Sequence, residues 1–402
     1  MAVWWVTEAL PISATALVPV VLFPPLGITG IEGAATPYAN PLIFLFLGGF
    51  LLAQAMQRWQ LHRRVALGIV RGIGTKPRSI IIGFLLASAL LSMWVSNTAT
   101  ALMMLPIGLS IIDFVRDQLE ARGETMPPHF PLVLLLGIAY ACNVGGMGTL
   151  IGTPPNALLA GFFSETYGVE VGFAQWMVVG LPLVAVALPL VYVVLTWVYP
   201  IELDRLPGGP QIIGAEWKKL GRMTTAEGRV AAVFVLTAAL WMTRPLLTGL
   251  LSGLSDAGIA IGAGLLLFAL PAGTEERALL VWEDAEELPW GVLLLFGGGL
   301  SLASAISDTG LAAWIGEGVK ALRGGPTFLV VLGAVALIVL LTEITSNTAT
   351  TAAFLPILGA VAVGFGENPF LFTVPAALGA SSAFMLPVAT PPNAIVYGSG
   401  LL

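Results

Sequence analysis

Polar and apolar positions fall along this chain in long blocks rather than in the short periods of a soluble fold. Apolar stretches at 13–26, 41–56, 173–199, 229–250, 257–270 and 290–306 predict membrane-spanning helices, because a span needs roughly 20 mostly apolar residues. The first is short, which suits a tilted or partly buried helix. Two further stretches do not fit single spans. Residues 79–112 carry no charge, yet as one straight helix they would reach ~51 Å at about 1.5 Å per residue, against a hydrocarbon core of roughly 30 Å. The polar trio Ser96-Asn97-Thr98 divides them into arms of about 15 residues, too short for two full spans. That predicts a re-entrant hairpin with its tip in mid-membrane. Residues 326–366 repeat the pattern around Ser346-Asn347-Thr348, with Glu343 as their one charge. Irregular backbone at that depth is tolerated only inside protein or beside a water-filled cavity.

Each hairpin precedes an apolar stretch interrupted at Gly and Pro. The first runs Asn143-Val144-Gly145-Gly146-Met147-Gly148 and on to Thr153-Pro154-Pro155-Asn156; the second runs Leu386-Pro387-Val388-Ala389 and on to Thr390-Pro391-Pro392-Asn393. The two trios are 250 residues apart, as are Gly48-Gly49 and Gly298-Gly299, so the chain reads as an internal duplication. Loop charge sets the orientation. Arg58, Arg63, Arg64, Arg71, Lys76 and Arg78 follow the opening helix of the first repeat, whereas the second has Lys320 and Arg323 beside Asp308 and Glu317. The positive-inside rule puts the first segment in the cytoplasm. Counting five crossings to its counterpart inverts the second repeat. The basic loop 201–228, with Arg205, Lys218, Lys219 and Arg222, then falls inside, as does the acidic loop 273–289, because Asp and Glu contribute little to the rule.

Composition narrows the function classes. The chain is 57% hydrophobic and 10% charged, against about 25% charged in soluble domains, so a soluble fold is excluded. One cysteine, Cys142, permits no internal disulfide, and two histidines, His62 and His129, leave little material for zinc, haem or a Ser-His-Asp site. Gly146-Met147-Gly148 has neither the preceding strand nor the later acid of a dinucleotide loop. The basic segment 58–78 alternates with Trp59, Leu61, Val65, Leu67 and Ile69, which predicts an amphipathic interfacial helix rather than a nucleic-acid patch. An enzyme would need clustered acids, His or Cys in the membrane, and only Glu343 is available. Glu343 is either a functional intramembrane acid or a brace bonded to hairpin backbone. A channel would need a continuous polar stripe or a charged ring, and none is visible.

Inverted repeats with paired discontinuous helices point to a transporter with its site near the midplane. Ser, Asn and Thr at the tips can bind both the oxygens of an anion and a small cation. Half-helix N–H groups favour carboxylate, and unwound carbonyls around Gly145-Gly146 and Ala389-Thr390 suit sodium. Residues 79–112, 130–163, 326–366 and 370–402 hold no Lys or Arg. Taking one ion into a medium of low dielectric costs of order 20 kcal/mol by the idealised Born estimate, and several kcal/mol in real proteins. Helix termini return about 0.3–2 kcal/mol each, so bound cations must neutralise a dianion. The leading expectation is sodium-coupled symport. A sodium-independent exchanger on the same scaffold and an anion channel are the alternatives.

These motifs, with Trp4-Trp5, Thr7-Glu8-Ala9-Leu10-Pro11 and Thr342-Glu343, resemble the divalent anion/sodium symporter family over nearly the whole chain, in order and in both repeats. The resemblance implies transport of di- or tricarboxylates such as citrate, with Na+ as the coupling ion, in the inner (plasma) membrane. It implies one sodium site at Ser92, Ser96, Asn97 and Gly145 and a second at Thr342, Ser346, Asn347 and Ala389. Substrate contacts would fall on Asn97, Thr98, Asn347, Thr348 and Pro391. It also implies a homodimeric elevator, with scaffold at 1–78 and 201–325 and transport domain at 79–200 and 326–402. Further helices are expected before Met1 and after Leu402. The fold expected is thus an all-α polytopic membrane protein of two inverted repeats, each with a re-entrant hairpin and a broken helix.

Overall fold

The computed structural model describes every residue except 204–208, 248–252, 274–276 and 319–325. Arg205, Lys320 and Arg323, and the end of the stretch 229–250, lie outside the described residues. Among those described, the chain is helical, with one isolated bridge between Pro271 and Ala278. Seven helices among the described residues are long and apolar enough to cross a membrane. The chain is therefore an all-α polytopic membrane protein, as expected where backbone groups must be satisfied within each segment.

Most apolar blocks become the helices their length predicts: Pro41–Arg58, Phe173–Val198, Thr225–Leu247, Asp256–Ala269 and Trp290–Asp308. The stretch 13–26 differs, forming two short helices, Ile12–Thr15 and Val18–Leu22. Pro19 sits in the first turn of the second, where its missing N–H costs nothing, and Pro24-Pro25 follow its end. The basic segment forms the helix Leu61–Ile73, which buries Leu61, His62, Ala66, Leu67 and Val70 on one face. Arg64 and Arg71 cover the Trp217 ring at 5.9 and 5.5 Å.

The two Gly-Gly pairs cross-pack the halves of the chain. A Cβ on Gly48 would stand 2.4 Å from the carbonyl carbon of Ala260, and one on Gly298 would stand 2.3 Å from the carbonyl oxygen of Ala16. Neither separation admits a side chain, so glycine is what lets each backbone approach.

Both hairpins break where the trios predict. The first joins Pro77–Ser92 to Asn97–Glu120, and the second joins Thr327–Thr342 to Asn347–Phe365. The second arms, of 24 and 19 residues, are longer than expected from the division at the trios, and both are long enough to span. Beyond Ile112 the first continues because Val115 and Leu119 keep burying a helical face while Asp113 and Glu120 turn to water. The broken helices are likewise in place. One is His129–Gly146 followed by Pro154–Tyr167; the other is Phe370–Ala380, a 3₁₀ turn at Pro387–Ala389, and Pro391–Tyr397.

Candidate functional site

At each tip the last residue of the first arm bonds to the first residue of the second. Ser92 donates to Asn97 Oδ1, and Thr342 Oγ1 lies 2.6 Å from Asn347 Oδ1 and 2.7 Å from the Ala380 carbonyl. The hydroxyl-to-amide contact closes a loop of four residues. Ser96 and Ser346 then cap the second arms, accepting from the Ala99 and Ala349 amides at 3.3 and 3.4 Å. A serine at this position satisfies one of the free N–H groups that begin every helix. The trio therefore has a local structural logic: Ser caps, Asn locks the loop, and Thr98 and Thr348 project half-exposed from the first turn.

The Thr-Pro-Pro-Asn tetrapeptides have an equally local reading. Two prolines open the second half of each broken helix, and the asparagine reaches back to the unwound carbonyls. Asn156 donates to the Gly146 and Thr149 oxygens at 3.1 and 2.7 Å; Asn393 donates to those of Ala383 and Leu386, both at 3.1 Å. The sequence separations, ten and seven residues, are the same in both halves.

Between the tips lies a cavity of about 830 Å³. Ser96, Asn97 and Thr98 face it from one hairpin, and Ser346, Asn347 and Thr348 from the other; Gly152-Thr153-Pro154 and Ala389-Thr390-Pro391 complete the wall from the two broken helices. Of the residues singled out from sequence, Ser92, Thr342 and Gly145 are not on this wall. Ser92 and Thr342 stand behind the tips, fully buried, bonded to the asparagines. Gly145 packs against the Ala89 backbone, where a Cβ would meet the carbonyl oxygen at 2.3 Å, and its neighbour Gly146 lies against Asn97, with a Cβ position 2.6 Å from Oδ1.

Sequence reasoning missed Gly152, which precedes the first tetrapeptide just as Ala389 precedes the second. Aligning the two tetrapeptides would have found it. It also missed the rest of the wall, where Glu8, Gln54, Gln57 and Glu287 line the cavity. Gln54 donates to Glu287 at 3.0 Å, and Glu8 closes its helix with a left-handed backbone, φ 49°, an uncommon conformation for a residue other than glycine. The lining contains no Lys, Arg or His among the described residues. Among the described residues no group of His, Cys, Asp and Glu could hold a metal. At the tips and the helix breaks the available ligands are hydroxyl, amide and carbonyl oxygens; the lining's carboxylates are Glu8 and Glu287.

Glu343 takes no part in the wall. Its carboxylate accepts from the amides of Phe384, Met385 and Leu386 at 2.8–3.1 Å. It is a brace, as one of the two sequence readings had it, although it holds the unwound segment of the broken helix rather than the hairpin's own backbone. Asn143 ties the two broken helices together, 3.3 Å from the Ala383 carbonyl and 3.4 Å from both Asn393 Oδ1 and Thr390 Oγ1.

Paired tips, paired helix breaks and a shared cavity define a membrane transport protein, and comparison with known sequences agrees. The chain belongs to the family described as the sodium:sulfate symporter transmembrane region, which it matches over residues 1–402. It is 48% identical over 407 residues to the sodium-dependent dicarboxylate transporter SdcS of Staphylococcus aureus strain USA300, covering 100% of this chain and 78% of that protein. The proteins of the same name from strains bovine RF122 / ET3-1 and MSSA476 match equally. The family and these relatives are transporters, not enzymes.

Proposed function

We propose that this chain carries small dicarboxylate anions across the inner (plasma) membrane, coupled to Na+. The observation that carries this reading is the cavity itself: both Ser-Asn-Thr tips face it, and among the described residues no basic side chain lines it. A dianion there has hydrogen-bond donors from Asn97, Thr98, Asn347, Thr348 and the helix that begins at Pro391, but no fixed countercharge. Sodium supplies the countercharge. One ion is assigned to Ser92, Ser96, Asn97 and the Gly145 region, the other to Thr342, Ser346, Asn347 and Ala389, since unwound carbonyls and half-helix ends are the usual ligands for coupling ions in discontinuous helices. The names of the relatives, sodium-dependent dicarboxylate transporters, support both halves of the reading. Citrate is the weaker candidate, because a third carboxylate would face Glu8 and Glu287.

Loop charge supports an inverted arrangement of the repeats. On that arrangement Gln57, Glu287 and Pro289 lie toward the cytoplasm, so the cavity opens inward. The two hairpins with their broken helices, 79–200 and 326–402, then form the moving transport domain, and 1–78 with 201–325 the scaffold of a homodimeric elevator. The test is radiolabelled succinate uptake into proteoliposomes with and without an inward sodium gradient. Uptake that requires the gradient supports symport. Counterflow of equal rate in sodium-free medium would replace it with exchange.

A further inference from the structure

A second cavity, about 570 Å³, adjoins the first. It lies between the amphipathic helix Leu61–Ile73, the second arm of the first hairpin, and the helix Gly209–Lys219, and it shares Gln57, Ala99 and Leu102 with the cavity between the tips. Its charge is of the opposite kind. Where the first cavity has Glu8 and Glu287, this one has Arg63 and Lys219, and both converge on a single buried carboxylate, Glu216, with Arg63 Nη2 at 3.1 Å. Two cations on one anion leave a positive charge in excess. Arg63 Nε is buried and has no hydrogen-bond partner, and a donor buried without an acceptor marks a place where a ligand, ion or water belongs. His62 lines the same space, with Nδ1 2.8 Å from the Met56 carbonyl. Burial holds its pKa below the ordinary 6.5, so it is neutral at pH 7. Asp113 and Asp117 line a neighbouring hollow that shares Ser110, Glu216 and Lys219 with this one, and Asp113 pairs with Arg116 at 3.3 Å. Acids thus line both neighbouring hollows, and Arg63 and Lys219 are where an anion can rest.

We infer that this pocket is a second carboxylate-binding site, occupied by the transported anion on its way between the tips and water, with Arg63 as its principal ligand. The inference rests on the transport reading above. Such a site answers a physical difficulty of that reading: an anion leaving a cavity walled by Glu8 and Glu287 needs a favourable next position.

The test separates this site from the one between the tips. Ser110 lines the pocket and is exposed, whereas the lone cysteine, Cys142, is buried and silent to reagents. In the full chain reconstituted in phosphatidylcholine vesicles, with Ser110→Cys, succinate is expected to slow alkylation without sodium. That protection should persist when Asn97→Ala disables the tip site. Arg63→Gln should raise the half-protecting succinate concentration about tenfold, the scale of one lost charge-assisted contact. Glu216→Gln should lower it, because the competing carboxylate has lost its charge. A merely structural ion pair predicts instead that both substitutions weaken protection together, and that result would overturn the inference. So would protection that Arg63→Gln leaves intact, or protection that appears only when anionic lipid is added. Failure of the transport reading is seen separately, as wild-type vesicles that accumulate no succinate, and it would remove this site's purpose along with it.

Discussion

Met93 in the first half of the chain stands where the second half has Glu343, and the supports behind the two tips differ accordingly. In the first half the tip is an acceptor through its backbone: Thr149 of the unwound segment donates its hydroxyl to the Met93 carbonyl, and the same Oγ1 accepts from the Gly152 amide at 3.1 Å. In the second half the acceptor is a side chain, the Glu343 carboxylate, gathering three successive backbone amides. Burial differs as well. The arm Pro77–Ser92 is mostly enclosed by neighbours, with Leu86 and Leu90 its exposed leucines, whereas Thr327–Thr342 leaves Phe328, Leu329, Leu332 and Leu340 more than half exposed. The tip geometry, Ser or Thr to Asn, is nonetheless the same in both. What the two halves share is the arrangement facing the cavity, while the means of holding it differs.

If the tips are equivalent in use, they should be equivalent in loss. Asn97→Ala and Asn347→Ala are each expected to reduce sodium-driven uptake by at least about a hundredfold, ~3 kcal/mol, with the protein still folded. Uptake near wild type in either variant, at equal expression, would break the symmetry between them. The supports should not be equivalent. Glu343→Gln removes a buried charge from three amides and places an NH2 group among them, which should cost about 3 kcal/mol of stability. Thr149→Ala removes one hydroxyl from a neutral network and should cost about 1 kcal/mol. Thermal unfolding in detergent measures both, and equal losses would show that the two braces are interchangeable after all.

How much of this was legible beforehand follows the same division. The trios, the helix breaks and the tetrapeptides are local features, and each could be read from spacing because its partner lies within about ten residues of chain. The helix extending from Asn97 to Glu120 was under-read because charge was taken to end it, whereas amphipathic spacing carried it on. Asn143 against Thr390 and Asn393, Trp176 Nε1 on the Met147 carbonyl at 2.9 Å, and the placing of Glu8 and Glu287 in the same cavity as the tips are contacts between distant segments. Nothing in local periodicity encodes them. Glu343 was legible as important but ambiguous in kind, since an acid in an apolar stretch announces itself without naming its partner.

The smallest effect expected concerns the acids of the cavity wall. Glu8→Gln or Glu287→Gln should shift preference toward citrate over succinate by about two- to fivefold, and the shift should shrink as ionic strength rises, because exposed charges are screened. Competition of citrate against labelled succinate measures it. An unchanged ratio would mean that the acids do not sense the third carboxylate.

The central claim is that sodium supplies the countercharge that the cavity lacks. It is tested most directly by titrating succinate against the purified protein in sodium and in choline, by calorimetry or thermal shift. The account predicts that succinate affinity rises steeply with sodium, and that succinate tightens sodium binding by the same factor, as linkage requires. Equal succinate affinity in the two salts would contradict it.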